Sequence, residues 1–382
     1  MKQNVFASNG QESEDQSILK KTFGLLLSTR ALIFLIAFLS LQIIEKSRWF
    51  KGSTDVFQAF FTWDSQWFGS VFTLGYQYNP AAQSNIAFFP LYPLVTKIVS
   101  LFTEGIIGSL MTGYLVSNLS LFFAGFFLYK LVQLEFKSKE ISNKVLFLFF
   151  ISPLSFFFSI VYSEGLFLLL IISSFYYARK KNWKNASLLG FLAALTRASG
   201  VLLIIPLLIE YFTDENNNFK FKMEKIKKDI LYIFAVPMGL ASYFMYLFIL
   251  FGSPFVYFKN QVHWQRWLTN PFQIFTNIQS YPPFYQILFL GAIIVGIILV
   301  FILYKSKVRP SYTFYSAALI ISYMSTNLAE SIPRYFSTIF PLYIALALIS
   351  QKNDLAYKTI TIFSVSLLTL LTIMFVNGYW LT

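Results

Sequence analysis

Asp64 is the residue of this sequence whose neighbours best suit it to act as a base. If residues 55–73 form a helix, large aromatic side chains lie three and four positions on either side of it, namely Phe60, Phe61, Trp67 and Phe68. An unpartnered carboxylate is expensive to bury, and a desolvated carboxylate suits general-base catalysis. The alternative is that Asp64 caps a helix that begins at Ser65, and the local pattern alone does not separate these two interpretations.

Three other charged residues interrupt long apolar stretches. They are Glu164 in Tyr162-Ser163-Glu164-Gly165, Arg197 in Thr196-Arg197-Ala198-Ser199-Gly200, and Arg334 in Pro333-Arg334-Tyr335. Guanidinium groups suit phosphate oxygens because they keep their charge and donate two parallel hydrogen bonds. Each residue also has a structural interpretation: Glu164 as a turn residue, Arg197 as the partner of an acid, and Arg334 as an interfacial anchor.

The segment 252–283 interleaves aromatic rings with hydrogen-bond donors. Its residues of this kind are Tyr257, Lys259, His263, Trp264, Arg266 and Trp267. Such a composition suits a sugar face or a lipid headgroup, but it is also typical of the aromatic belt at a membrane interface, which we favour here. A single histidine is more often structural than catalytic, so His263 receives no role.

The composition predicts a polytopic membrane protein. Of 382 residues, 56% are hydrophobic, 12% are charged and 46 are Phe, which is too apolar for an ordinary soluble domain. Cysteine is absent and there is one histidine, which excludes disulfides and argues against a zinc or transition-metal centre. The lysines and arginines behind the net charge of +13 lie in short clusters between apolar runs. We therefore interpret them as determinants of membrane topology and expect no nucleic-acid partner.

The predicted fold is all-α, with about 10–11 membrane spans in a single domain over residues 21–382. Residues 1–20 are expected to form a disordered cytoplasmic tail, and Arg30 in the first span is expected to snorkel to the inner face or to meet a lipid phosphate. Residues 45–104 form a long first outer loop that carries amphipathic helices and Asp64, and 252–283 form a second outer loop. Four basic clusters, within residues 137–144, 179–184, 220–228 and 305–309, are assigned to the cytoplasmic side, and the N-terminus is expected in the cytoplasm.

All four basic clusters can lie on the same side of the membrane only if two segments meet certain conditions. Residues 88–103 must not cross alone, and residues 186–211 must enter and return, with a turn near Thr196–Gly200. Such a broken pair is tolerated where protein or a watery cavity covers the freed backbone. With this topology Asp64, Glu164, Arg197 and Arg334 all face the outside, where they form a cavity suited to a hydroxyl attacking a phosphate-linked group.

Two other classes of function share some of these features. A secondary transporter or lipid flippase also has broken helices and buried charges, but the long acid-bearing loop and the absence of an obvious internal repeat argue against it. A non-catalytic scaffold of a glycan-assembly complex is the third class. The enzyme interpretation requires Asp64, Glu164 and Arg197 to line one cavity.

The order of several short motifs resembles the PIG-V-like mannosyltransferases, a family of the C-type (GT-C) superfamily of integral-membrane glycosyltransferases. The resemblance covers roughly residues 55–345. Its motifs are Trp63-Asp64-Ser65 with Gly75-Tyr76, Ala87-Phe88-Phe89-Pro90-Leu91-Tyr92-Pro93, Ser117-Asn118-Leu119, Ser152-Pro153, Tyr162-Ser163-Glu164, Thr196-Arg197-Ala198-Ser199-Gly200, and Pro333-Arg334-Tyr335 with Phe340-Pro341.

The resemblance implies a hexosyltransferase, in particular a mannosyltransferase, that inverts the anomeric carbon without metal or other cofactor. Its partners would be a polyprenyl-phosphate sugar donor, a lipid or glycan acceptor and the membrane lipids. Asp64 would be the general base and Arg197 and Arg334 would bind the donor phosphate. Glu164, Trp63 and Trp67 would bind or orient substrates.

The sequence departs from the family pattern at two places. Trp67 stands where eukaryotic members tend to have histidine, and Thr-Arg-Ala-Ser-Gly replaces Thr-Arg-Ser-Asn-Gly at residues 196–200. Both departures concern the acceptor and the sugar rather than the reaction class. A bacterial-type plasma membrane is the expected location, or the ER membrane if the source is eukaryotic.

Overall fold

The computed structural model describes residues 2–47 and 54–381, and its regular elements are helices. The first eight α-helices are α1 (Lys2–Ile43), α2 (Val56–Phe60), α3 (Asp64–Leu74), α4 (Leu91–Phe136), α5 (Lys139–Phe150), α6 (Glu164–Arg179), α7 (Trp183–Thr196) and α8 (Ile204–Phe212). The other eight are α9 (Ala235–Phe251), α10 (Val256–His263), α11 (Ile274–Asn277), α12 (Pro283–Lys305), α13 (Pro310–Met324), α14 (Ile332–Ser337), α15 (Pro341–Lys352) and α16 (Asp354–Val376). Met1 of the predicted tail and residues 48–53 of the predicted first outer loop lie outside the described residues.

The chain is an all-α, polytopic membrane protein, as the composition predicts. Five helices of the described residues are long and apolar enough to cross a bilayer: Glu12–Ile43, Gly105–Phe136, Lys228–Phe251, Pro283–Lys305 and Asp354–Val376. The predicted number of about 10–11 spans is larger because polar turns divide the apolar sequence into shorter helices. The 16 residues of α6, for example, extend about 24 Å, compared with about 30 Å of bilayer hydrocarbon.

The N-terminal helix differs from expectation at two points. Helix α1 begins at Lys2, so it runs through the segment expected to be disordered, where Asp15 forms an ion pair with Lys130 at 2.7 Å. Arg30 does not snorkel to the inner face. Its guanidinium is buried and donates to the Ser155 and Phe150 carbonyl oxygens at 2.6 and 2.9 Å, because these turn carbonyls need donors inside the protein. Arg30 therefore joins α1 to the turn that precedes Glu164.

The continuous helix predicted over residues 55–73 is wrong. The segment forms α2 and α3, separated by Trp63, whose φ of 56° lies in the left-handed region. The helix expected to begin at Ser65 begins at Asp64, so Asp64 is its first residue, and Trp63 occupies the capping position without a side-chain hydrogen bond. The interpretation of Asp64 as a base stays a prediction. An acid in the first turn of a helix is favoured by the partial positive charge of the free N–H groups.

The two segments that were expected to be exceptions to simple membrane crossing form helical hairpins. Helix α4 breaks at Gly108, which has a φ of 71°, and its two arms fold together so that the Tyr92 hydroxyl donates to the Gly113 carbonyl at 3.0 Å. Residues 88–103 therefore do not run alone through the fold. The second hairpin consists of α7 and α8, where the rings of Trp183 and Tyr211 lie 4.9 Å apart at the open end.

The turn of the second hairpin places Arg197. This residue ends α7 in an extended conformation, with φ −154° and ψ 145°, and a 3-10 segment Ala198–Leu203 follows. A Cβ on Gly200 would lie 2.3 Å from the Ala193 carbonyl oxygen, so the return of the chain requires glycine there. The close approach fixes the direction in which Arg197 leaves the helix.

Helix α6 lies at the centre of the molecule and separates two clusters of charge. Glu164 is its first residue, and Arg179 is its last, about 22 Å away by helical rise. Arg179 lies 3.1 Å from Glu135, and Arg309 lies 2.7 Å from Glu210 beside it. The basic turn at residues 179–184 is therefore at the opposite end of the fold from Glu164, as the charge distribution predicts.

Candidate functional site

Asp64 and Arg334 form the ion pair that connects the first loop to the C-terminal half. Arg334 Nη1 donates to Asp64 Oδ2 at 2.6 Å. The Asp64 side chain is 23% exposed and the Arg334 side chain 3% exposed. Arg334 is held by the short helix α14 and Asp64 by the start of α3. Among the described residues, no donor forms a hydrogen bond to Asp64 Oδ1, so this oxygen is available to a hydroxyl from solvent or substrate.

Glu164 connects both predicted arginines. Its carboxylate is fully buried, with Oε1 2.6 Å from Arg197 Nη1 and 3.5 Å from Arg334 Nε. Its other oxygen, Oε2, has no hydrogen-bond partner among the described residues. The next residue is Gly165, where a Cβ would lie 2.4 Å from the Phe158 carbonyl oxygen, so only glycine lets α6 begin this close to the preceding turn. Glu164 thereby orients two guanidinium groups from separate elements.

The structure brings together the four charged residues that the sequence singled out. Asp64, Arg334, Glu164 and Arg197 form a continuous row of contacts from the first loop to the α7–α8 turn. The three residues Asp64, Glu164 and Arg197 are thus in one cluster, but the apolar cavity between α3, α4, α7 and α9 is not lined by them, so the expectation that they line one cavity stays a prediction. The catalytic and binding roles assigned to the four residues remain predictions.

Arg266 and Tyr335 belong to the same cluster, and sequence reasoning did not assign them to it. Arg266 Nη1 donates to the Tyr335 hydroxyl at 2.7 Å, and Arg334 Nη2 approaches the same oxygen at 3.3 Å. The guanidinium carbon of Arg197 lies 4.9 Å from the centre of the Tyr335 ring. The sequence contained one indication, since Arg266 lies among aromatic rings in segment 252–283, but an aromatic belt at the membrane interface was the favoured interpretation of that segment.

Tyr335 is electrostatically unusual. It lies in α14, outside the five long apolar helices. Burial by itself would raise the pKa of its phenol, but the three nearby guanidinium groups of Arg266, Arg334 and Arg197 outweigh burial and lower the pKa to about 7. The cluster thus contains an acidic phenol beside three fixed positive charges.

The tryptophans predicted to contact substrate have different surroundings. The ring of Trp63 stacks on Trp380 at 6.1 Å, and its indole N–H has no partner among the described residues. Trp67 stacks on Phe88 at 6.1 Å and meets Trp264 edge-on at 5.1 Å. The two rings therefore belong to separate aromatic groups, Trp63 with the C-terminal segment and Trp67 with Phe88 and the second loop.

The second loop does not form a simple interfacial belt. Trp264 and Arg266 face the cluster, and the His263 Nε2 is 2.9 Å from the Pro80 carbonyl oxygen, an interaction in which the ring N–H donates. Trp267 and Phe258 are more than half exposed, as expected for a belt. Residues 256–267 thus close the first loop over the cluster as well as presenting aromatic rings outward.

An apolar cavity of about 500 Å³ lies between α3, the start of α4, α7 and α9. Phe72, Leu94 and Leu195 contribute to its lining, and Lys97 is the charged residue in it. Tyr243 in its wall contacts Phe89 at 4.8 Å, and Phe89 contacts Tyr257 at 5.7 Å. A layer of rings therefore connects the cavity to the second loop that carries Arg266.

The charge of the cluster determines what it can bind. Three guanidinium groups, those of Arg197, Arg266 and Arg334, face the two carboxylates of Asp64 and Glu164. These five groups, with Tyr335 as a neutral phenol, leave one positive charge, which suits an anion with a single charge; Glu330 lies outside this set and accepts from the Tyr281 hydroxyl at 2.8 Å. Among residues 2–47 and 54–381, no group of three or more His, Asp or Glu side chains is arranged to hold a metal ion.

Comparison with protein-family models gives one match relevant to this geometry. The model described as Mannosyltransferase (PIG-V) matches residues 51–378, which include every residue of the cluster. Comparison with curated protein sequences finds no significant match.

Solved structures of the Archaeoglobus fulgidus oligosaccharyltransferase are similar to this chain at low identity. The apo form has 13% identity and a TM-score of 0.45, and the match covers 93% of this chain and 56% of that chain. The complex of AglB with an inhibitory peptide and a dolichol-phosphate has 12% identity and a TM-score of 0.45, with 92% and 55% covered. This chain therefore spans little more than half the length of those proteins.

Proposed function

The chain belongs to the PIG-V mannosyltransferase family, and from this premise we propose that it transfers a hexose, in particular mannose, from a polyprenyl-phosphate donor to a hydroxyl of a lipid or glycan acceptor. The reaction would take place on the extracytoplasmic side, with inversion at the anomeric carbon. The observation that carries this proposal is the row of contacts joining Asp64, Arg334, Glu164 and Arg197.

Asp64 would be the general base. One of its oxygens is held by Arg334, which fixes the direction of the other, and the side chain remains 23% exposed. As the acceptor oxygen attacks the anomeric carbon, its proton would pass to Asp64 Oδ1. A positioned carboxylate of this kind contributes about 10²–10⁴-fold to a rate.

Arg197 and Arg334 would bind the donor phosphate and stabilise it as the leaving group. The bond between the anomeric carbon and the phosphate oxygen breaks with its electron pair on oxygen, so the phosphate gains negative charge during the reaction. Guanidinium groups that contact the phosphate therefore act more strongly in the transition state than in the ground state. Glu164 would hold both arginines in place from its buried position.

The inverted product follows from a single displacement, because the acceptor attacks the face of the sugar opposite the leaving phosphate. The rings of Trp63 and Trp67 would pack against the sugar or the acceptor. The apolar cavity lined by Phe72, Leu94 and Leu195 has the chemistry to hold part of the polyprenyl chain.

The donor class is tested by comparing two radiolabelled donors in membranes that contain the wild-type chain. Polyprenyl-phosphate mannose is expected to label a lipid or glycan product, and GDP-mannose, added with the lipid-linked donor synthesis blocked, is expected to label none. Membranes from cells lacking the chain are the control. Labelling from GDP-mannose alone, or none from the lipid-linked donor, would contradict the proposed reaction.

A further inference from the structure

The turn after α10 carries Arg266 into the cluster. Besides the 2.7 Å hydrogen bond to the Tyr335 hydroxyl, Arg266 Nη2 donates to Ser331 Oγ at 3.0 Å. The preceding residue, Gln265, has a φ of 53°, in the left-handed region, and the Arg266 N–H donates to the Gln261 carbonyl oxygen at 2.9 Å, so a defined turn sets the direction of this side chain. Arg266 is thus placed by local structure and not by chance contact of a long side chain.

Arg266 differs from the other two arginines in its partners. Arg197 pairs with Glu164 at 2.6 Å, and Arg334 pairs with Asp64 at 2.6 Å. Within the described part of the chain, Arg266 forms no ion pair with a carboxylate, and its strongest partner is the hydroxyl of Tyr335. Glu330 interacts with Arg266 electrostatically but accepts instead from the Tyr281 hydroxyl at 2.8 Å. Among the described residues, Arg266 is therefore the arginine of the cluster without a carboxylate in direct contact, which suits an additional anion.

We propose that Arg266 is a further ligand of the donor phosphate, and that the Tyr335 hydroxyl and the phosphate compete for Arg266 and Arg334. The proposal rests on the proposed function, because it takes the phosphodiester of the lipid-linked donor as the anion. Tyr335 is partly exposed and its ring packs against Tyr323 at 5.1 Å, so the competition requires its hydroxyl, and not the whole side chain, to leave the two guanidinium groups. A phosphodiester has one negative charge, which would balance the excess of three guanidinium groups over the two carboxylates of Asp64 and Glu164.

The competition makes donor binding depend on pH. With a pKa of about 7, Tyr335 becomes a phenolate as the pH rises, and the phenolate competes better for the guanidinium groups than the phenol does. The phosphodiester keeps its charge over the same range. Charged and titratable groups around Tyr335 are Arg334 on its own helix, Arg266 and Tyr257 from the second loop, Arg197 and Glu164 from α7 and α6, Asp64 from α3, and Tyr323 from α13.

The test is direct binding of polyprenyl-phosphate mannose to the purified full chain in nanodiscs, without acceptor so that no transfer occurs. The uncharged polyprenol is the reference ligand, since it has the same chain and no phosphate. For Arg266→Gln, affinity for the phosphate lipid should fall by about tenfold or more, while affinity for polyprenol stays the same. Lys259→Gln removes an equal charge from an exposed position of the same loop and should change neither affinity.

Tyr335→Phe provides a second readout that a purely structural role would not move. The wild-type Kd for the donor should rise about tenfold between pH 6 and pH 8, and the Kd of Tyr335→Phe should be flat and lower than wild type at pH 8. If Arg266→Gln does not fold, Arg266→Lys keeps the charge but loses the guanidinium fork and should still weaken phosphate binding.

The outcomes separate this proposal from the proposed function. A wild-type chain that binds polyprenyl-phosphate mannose while Arg266→Gln binds it equally well would overturn the role of Arg266 and leave the reaction intact. Weaker donor binding by Tyr335→Phe at pH 8 would overturn the competition. A wild-type chain that does not distinguish the phosphate lipid from polyprenol would contradict both proposals.

Discussion

Replacing Glu164 by glutamine should separate the structural from the catalytic role of the buried carboxylate. The substitution keeps the size of the side chain but removes the charge that contacts Arg197 at 2.6 Å and Arg334 at 3.5 Å. Arg334 keeps Asp64, whereas Arg197 loses its carboxylate partner. Breaking one such buried pair costs about 3–5 kcal/mol, and because the glutamine oxygen can still accept one hydrogen bond, we expect about 3 kcal/mol of lost stability.

The effect on catalysis should be larger than the loss of stability explains. Arg197 would no longer be fixed relative to Asp64, and a misplacement of about 1 Å costs about a hundredfold in rate. The measurements are the free energy of unfolding in detergent micelles and the kcat for mannose transfer per folded protein. Arg197 is the residue through which Glu164 acts, so Glu164 is a positioning residue.

Glu210→Gln is the matched control for this experiment. Glu210 is equally buried and contacts Arg309 at 2.7 Å and Arg179 at 3.5 Å, but at the opposite end of the fold. It should lose a similar free energy of unfolding and keep the wild-type kcat of the folded fraction. A wild-type kcat for Glu164→Gln, or an equal loss of kcat in both variants, would refute the positioning argument.

Three further substitutions test single contacts. Arg197→Lys keeps the charge but loses the guanidinium fork, so kcat for transfer should fall by about tenfold or more, and an unchanged rate would exclude bidentate phosphate contact. Arg30→Lys loses the two separate Nη groups that reach the carbonyl oxygens of residues 150 and 155, and should lower the free energy of unfolding by about 1–3 kcal/mol, which an unchanged unfolding curve would contradict. Gly200→Ala should reduce both stability and transfer because its Cβ would lie 2.3 Å from a backbone oxygen, whereas Gly291→Ala has open space and should behave as wild type; equal behaviour of the two would contradict this.

The charged residues of the site could be predicted from the sequence because a charge within an apolar stretch is expensive. Glu164, Arg197 and Arg334 each interrupt such a stretch, and the basic clusters restrict which side they occupy. The hairpin at Arg197 could be predicted because all the basic clusters lie on one side of the membrane only if residues 186–211 enter the membrane and return. The motif order then added the family, which the match over residues 51–378 confirms.

Other features could not be predicted because they depend on distant backbone atoms. The break before Asp64 requires a positive φ at Trp63, which residue type does not signal. The partners of Arg30 are carbonyl oxygens more than a hundred residues away, at Phe150 and Ser155. Arg266 faces the cluster only because of how the loop after α10 folds, and its composition fits an interfacial belt equally well.

The most direct test of the central claim is the transfer of radiolabelled mannose from its polyprenyl-phosphate donor by Asp64→Asn in purified, folded form. Asp55→Asn is the control, since Asp55 lies in the same loop and its cap on Gln58 N at 2.9 Å is a role that asparagine also fills. We expect Asp64→Asn to bind the donor and lose nearly all transfer, while Asp55→Asn transfers as wild type does. Turnover by Asp64→Asn close to that of wild type would show that Asp64 is not the base.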